Sequence, residues 1–199
     1  MDQNPYIIPD FPEDAFAGTA NYYAKYRVPY PKALLDDLIR RAGVKTGANL
    51  LDLACGPGRV SIPLASSFVS VLAVDIEPEM IETGKQIASG QGLHHIRWLV
   101  GRAEDLEIEP VSFQLITIGE AFHRLDQRLI AARAMQWLSP GGCLATLGVT
   151  RGTEPWQQMV ADTVRKWTML SSGNGGRSDK PVPRSGPAHY EFVMRDAGF

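Results

Sequence analysis

The segment Leu50 to Val60 reads LLDLACGPGRV, an apolar run that ends in two glycines and a basic residue. A glycine turn after a buried strand lets a ligand approach the backbone closely, with the N-terminus of the next helix aimed at it. A second apolar run, VSVLAVD, ends in Asp75, about 20 residues beyond the turn, where a carboxylate can accept two ribose hydroxyls. A structural turn and a surface aspartate would account for either feature alone. Strand, turn, helix and distant acid in that order mark a site for a cofactor that contains a nucleoside.

Charge chooses among such cofactors. A dinucleotide site reads G-x-G-x-x-G, and here Ser61 stands at the third glycine position. Asp52 lies just before the turn, where a carboxylate repels a pyrophosphate and attracts a cationic amino group. S-adenosylmethionine carries an ammonium, a sulfonium and a ribose, and no phosphate. The residues therefore favour it over NAD.

These groups need a scaffold, and the chain supplies strands alternating with helices. Strands are expected at Asn49–Ala54, Val69–Asp75, Ile96–Val100, Phe113–Gly119 and Cys143–Val149. Helices are expected after Pro31 (with Leu34, Leu35, Leu38, Ile39 and Ala42 at helical spacing), over Arg59–Ser67, from Pro78 to Gly90, over Leu125–Leu138 and over Trp156–Met169. A last helix, HYEFVMRDAGF, is closed by Gly198, and the Gly-, Ser- and Pro-rich stretch Ser171–Pro187 is expected to be a loop. Strands separated by helices imply right-handed crossovers and an α/β, doubly wound, Rossmann-like parallel sheet.

Five strings in this order, LLDLACGPG, VLAVDIEPEMI, GRAEDL, FQLITIGEAFHRLD and LSPGGCLATLGV, resemble the class I S-adenosylmethionine-dependent methyltransferases, near the type 11 or trans-aconitate methyltransferase-like group. The resemblance implies strand order 3-2-1-4-5 and places Asp52, Ala54, Gly56 and Gly58 around the methionine portion of the cofactor, with Asp75 on the ribose. It implies that Ile76 and Met80 flank the adenine, that Ala103 and Glu104 meet its edge, and that Gly119 and Glu120 lie beside the methyl-bearing sulfur. The leading segment FAGTANYYAKYRVPYP resembles the lid that precedes the fold in such enzymes, so residues 1–30 are expected to form a lid and 31–199 the methyltransferase domain. Within it Tyr22, Tyr23, Tyr26 and Arg27 are candidates to close over the cofactor, Arg27 facing its carboxylate; aromatic packing on a helix is the other reading of the tyrosines.

Methyl transfer asks mainly for in-line positioning of a small-molecule acceptor, and for a base only when the acceptor must lose a proton. His123 is the candidate base, with a loop-orienting packing role as the alternative, and Glu120 is a candidate to accept a hydrogen bond from cofactor or substrate. Three positions depart from the family pattern: Arg102 replaces an acid, Gln114 replaces the aspartate that opens the fourth strand, and Arg124 replaces an aromatic. The acceptor is therefore left open. A cofactor-binding cyclase or non-methylating binding partner, and an NAD-dependent oxidoreductase, are the competing readings.

Composition bounds the rest. The chain has 199 residues, 44% hydrophobic and 21% charged, with 20 Lys and Arg against 22 Asp and Glu. Such a balance argues against binding nucleic acid by bulk charge, and the fourth strand leads into GEAFH rather than an Asn-Pro-Pro-aromatic box. Two cysteines, Cys55 and Cys143, are too few for a disulfide framework, and no Cys/His cluster has metal spacing, so no metal is expected. The N-terminus does not read as a signal peptide and no apolar run approaches the ~20 residues of a membrane helix, which suits the cytoplasm. In the resembling family two further strands pair beside the fifth. Here none follows Phe199, whether the chain is naturally short or truncated, so the fifth strand is expected at an edge where two copies could pair as a homodimer.

Overall fold

The computed structural model describes residues 16–148 and 186–199, together with Met159 and Thr163. The chain divides into two units, Met1–Leu147 with Pro183–Phe199, and Gly148–Val182. In the second, Thr163 Oγ1 donates a 2.8 Å hydrogen bond to the Met159 carbonyl one helical turn away. The rest of the helix expected over 156–169, the expected loop up to residue 185, and residues 1–15 of the expected lid lie outside the described residues.

In the first unit the central apolar runs, Asn49–Leu53 and Phe113–Gly119, become strands buried on both faces. β1 (Asn49–Leu53) lies at the centre, parallel to β2 (Ser70–Asp75) on one side and β4 (Phe113–Gly119) on the other. Leu51 sits opposite Leu72 and Ile116. β3 (Ile96–Val100) pairs outside β2, and β5 (Leu138–Leu147) outside β4, giving the order β3-β2-β1-β4-β5. This is the Rossmann-like order expected from the sequence. The topological switch lies between β1 and β4, where a crevice opens at the carboxyl ends of the strands.

Side chains alternate across a strand, so each strand feeds two cores. Leu51, Leu53, Ile116 and Ile118 pack on one face with Ile130 and Ala134 of α5 (Gln127–Trp137) and Val193 of α6 (Pro187–Asp196). Leu50, Leu115, Val71 and Ala73 pack on the other with Leu35 and Leu38 of α2 (Lys32–Arg41), Leu64 of α3 (Ser61–Leu64) and Ile81 of α4 (Pro78–Gly90). Each such aliphatic side chain, fully buried, contributes about 1.5–3 kcal/mol. α1 (Ala20–Tyr26) stays off the sheet.

Two expectations change. The helix after the glycine turn is only α3, continued by a 3-10 turn at Ala65–Ser67. β5 begins at Leu138 rather than Cys143. Phe113 pairs with Leu138 and Leu115 with Cys143, so Ser139–Gly142 enter the strand as a bulge opposite Gln114. A bulge is where a strand tolerates proline. Gln114 Nε2 donates to the Gly141 carbonyl at 3.1 Å and spans toward the Ala42 carbonyl at 3.4 Å, so the residue that departs from the family pattern ties the bulge to the end of α2.

Candidate functional site

At the switch point two non-glycine residues adopt positive φ, Ala54 at 51° after β1 and Glu120 at 53° after β4. Such backbone strain persists only where the surroundings over-determine it, and it gathers at ligand sites. A cavity of ≈ 590 Å³ opens between them, within the size range of small-molecule and cofactor sites.

The expected site residues come together around it by element. The turn after β1 contributes Ala54 and Gly56; the end of β2 contributes Asp75, Ile76 and, from α4, Met80. The 3-10 turn Ala103–Asp105 after β3 contributes Ala103 and Glu104. The end of β4 contributes Gly119 and Glu120, and the 3-10 turn Phe122–Arg124 contributes His123. Tyr23 and Arg27 of the N-terminal segment complete the wall.

Asp52 and Gly58 are placed differently. Asp52 lines a second, small cavity of ≈ 20 Å³ that shares Tyr23, Ala54, Gly56 and Gly119 with the large one. Gly58 lines neither; its φ is +84°, and a Cβ there would stand 2.7 Å from the Trp98 ring and 2.9 Å from Ile62. Its role is to let the turn pack on Trp98.

Asp75 is held by the turn it faces. Its Oδ2 accepts from the Gly56 N–H at 2.7 Å and its Oδ1 from the Glu77 N–H at 2.9 Å. Burial raises its carboxyl above the usual range, against the lowering pull of those two donors. Each oxygen keeps a lone pair that can point into the cavity.

Asp52 is completely buried, and burial pushes its carboxyl up to about 6 although Ser61 and Thr117 pull it down. Ser61 donates to Oδ2 through both its hydroxyl and its N–H, the latter at 3.0 Å, and Thr117 donates to Oδ1 at 2.8 Å. Ser61, at the position of the missing third glycine, thus anchors the carboxylate. A raised folded-state value stabilises the fold fully below the unfolded value of 3.8 and less as pH rises through about 6. The stability difference between wild type and Asp52→Asn should therefore fall by about 2 kcal/mol from pH 4 to pH 6, read by urea unfolding at each pH. A difference that stays flat over that window contradicts the assignment.

Glu120 accepts from two guanidiniums on one oxygen, Arg27 at 2.7 Å and Arg59 at 3.1 Å. Burial raises its carboxyl, but the hydrogen bonds from Arg27 and Arg59 outweigh it, so the group lies below its ordinary value and stays ionised. His123 is half-buried; burial and the neighbouring Arg124 hold its imidazole below the ordinary value, with Glu120 pulling the other way. A neutral imidazole on the cavity wall can accept a proton.

Sequence reasoning missed Arg59, Tyr30, Thr117 and Phe16. Arg59 follows the glycine pair directly, and that adjacency was its one signal. Phe16 stands 5.8 Å from Tyr23, edge to face, and the Arg124 guanidinium lies 4.5 Å from its ring centroid, so the arginine that replaces the family's aromatic meets the N-terminal segment. Among the described residues no group of three or more His, Cys, Asp or Glu could hold a metal ion, and no helix is long and apolar enough to cross a membrane.

Residues 50–142 match the family model described as a methyltransferase domain. The demethylmenaquinone methyltransferase of Staphylococcus aureus is 30% identical over 129 residues, 62% of this chain and 53% of that protein, so the chain spans about half the length of the curated relatives it matches. The solved YcgJ protein of Bacillus subtilis superposes with a TM-score of 0.63 at 20% identity, over 84% of this chain and 68% of that one. A SAM-dependent methyltransferase from Aquifex aeolicus gives 0.61 at 16% identity, over 90% and 87%. With the strand order and the matched residues in agreement, the segment 50–142 is a methyltransferase domain of the class I S-adenosylmethionine-dependent type.

Proposed function

We propose that this chain binds S-adenosylmethionine in the switch-point cavity and methylates a small molecule there, within the type 11 or trans-aconitate methyltransferase-like group. The observation that carries the reading is Asp75. It is a half-buried carboxylate at the tip of β2, fixed by Gly56 and Glu77 and open to a 590 Å³ cavity. The donor set suits the cofactor: carboxylates and aromatic faces line the site, and the buried Tyr30 Oη and Arg59 Nε have no hydrogen-bond partner among the described residues. When bound, the cofactor supplies a methyl group already activated on a sulfonium.

The chain's own residues position and exclude water. Ile76 and Met80 offer apolar contact to an adenine, Ala103 and Glu104 its edge, and Asp75 the ribose. Asp52, Ala54 and Gly56 shape the end that takes the methionine portion, with Gly58 holding the turn against Trp98, and Gly119 and Glu120 lie beside the reacting position. His123 takes a proton from an acceptor that must lose one. Residues 1–30 act as the lid, Tyr23 and Arg27 closing over the cofactor, and 31–199 as the catalytic domain. The setting is cytoplasmic, and two copies pair through β5, an edge strand among the described residues, which sedimentation at low micromolar concentration tests.

The relatives act on chemically unlike molecules: one named for demethylmenaquinone, another solved with geranyl diphosphate. The test is to incubate the chain with methyl-labelled cofactor and pools of small metabolites. Label transferred to one pool, and lost in His123→Ala for acceptors that carry an acidic proton, supports the reading. Cofactor binding with no transfer to any class of acceptor favours a non-methylating role.

A further inference from the structure

The 3-10 turn Phe122–Arg124 sends neighbouring side chains to different places. Phe122 is buried in the core with Ile130 and Val193, whereas the half-buried His123 lines the 590 Å³ cavity. A 3-10 helix has three residues per turn, so consecutive side chains leave it a third of a turn apart. Where Phe122 seats therefore decides where the His123 imidazole points.

The local backbone does not set that seat unaided. Glu120 enters the turn at a φ of 53° and Ala121 follows at -127°, neither of them helical. Such an entry persists only where neighbouring elements over-determine it. Two elements do so here. The Leu147 carbonyl at the end of β5 accepts from the Glu120 N–H at 2.7 Å. α6 then lays the Tyr190 ring against Phe122, edge to face, with centroids 5.0 Å apart, a geometry aromatic pairs prefer. α6 is itself pinned to the start of α5. His189 Nε2 lies 2.9 Å from Gln127 Oε1, Arg128 donates to Asp196 at 2.8 Å, and Val193 is fully buried.

We propose that Tyr190 is a positioning residue for His123: its ring holds Phe122 in the core and so keeps the imidazole turned into the cavity. The inference rests on the reading of His123 as the group that takes a proton from the acceptor. The charged groups that face His123 are Arg124 of its own turn and Glu120 at the end of β4. The acids of α6 are paired elsewhere, Glu191 with Arg195 at 2.6 Å and Asp196 with Arg128. Replacing Tyr190 therefore changes the packing behind the imidazole and leaves those charges in place.

The chain has four histidines, so the full-length protein labelled at histidine gives four ring signals by NMR, that of His123 identified by its loss in His123→Ala. Burial holds the wild-type imidazole below its ordinary value. Tyr190→Ala should let the turn relax and move the His123 midpoint up toward 6.5, while Tyr190→Phe, which keeps the ring, should titrate as wild type. Val193→Ala cuts a buried contact of α6 but leaves both rings; it should lower the thermal midpoint by about 2–4 °C and leave the His123 titration in place. His95, held 2.9 Å from the Ala65 carbonyl, reports that each variant is folded by keeping its own titration. Should Tyr190→Ala fail that control, Tyr190→Leu keeps apolar bulk without the ring and carries the same expectation. A His123 midpoint that stays put in the folded variant overturns the proposal, and so does an equal shift in Val193→Ala. Methyl transfer at the wild-type rate by His123→Ala overturns the reading of His123 as the base instead.

Discussion

Gly58→Ala is expected to lower the thermal midpoint by about 6–12 °C, equivalent to about 3 kcal/mol in a chain of this size. Two effects act together. Alanine at a φ of +84° enters the left-handed region, which costs about 1–2 kcal/mol. Its methyl would also stand 2.7 Å from the Trp98 ring and 2.9 Å from Ile62, closer than real contacts allow. The ring cannot step aside, because Gly84 of α4 faces it too, at 2.5 Å for an added Cβ. Trp98→Leu in the Gly58→Ala background should restore the steric share and leave the backbone share. Restoration of none of the loss would show that Trp98 is not what the turn packs against.

Asp75→Ala should weaken cofactor binding by an order of magnitude or more. Two ribose hydroxyls on one carboxylate are charge-assisted bonds worth about 1.5–3 kcal/mol each, before non-additivity. The change also orphans the Gly56 and Glu77 N–H groups, which donate to Asp75 at 2.7 and 2.9 Å, so the turn itself should loosen. Asp75→Asn separates the two effects, since its amide oxygen can still accept from one N–H while the charge is gone. Affinity in both variants equal to wild type would remove Asp75 from the site.

Much of this was legible in the sequence because it is local. β1, β2, β3 and β4 are short apolar runs bounded by turn residues, and Asp75 and the glycine pair sit at their ends by chain position alone. α4 is announced by Pro78 and by Met80, Ile81, Gly84 and Ala88 at helical spacing, all buried. What escaped depends on residues far apart in the chain. Arg59 and Glu120 are 61 positions apart, and Arg27 and Glu120 are 93. No periodicity links them. The bulge of β5 escaped for a different reason: Ser139-Pro140-Gly141-Gly142 reads locally as a loop, and pairing with β4 overrides that preference. Asp52 was legible as a carboxylate before the turn, but its full burial against Ser61 and Thr117 became visible only when β1 and β4 were paired.

The central claim is that the switch-point cavity takes a nucleoside cofactor with a positively charged, phosphate-free tail. Calorimetric titration of the wild-type chain with S-adenosylhomocysteine and, separately, with NADH tests it most directly. Saturable one-to-one binding of S-adenosylhomocysteine and no binding of NADH are expected, since the Asp52 and Glu120 carboxylates beside the turn would repel a pyrophosphate. Saturable binding of NADH, with S-adenosylhomocysteine left unbound, would contradict it.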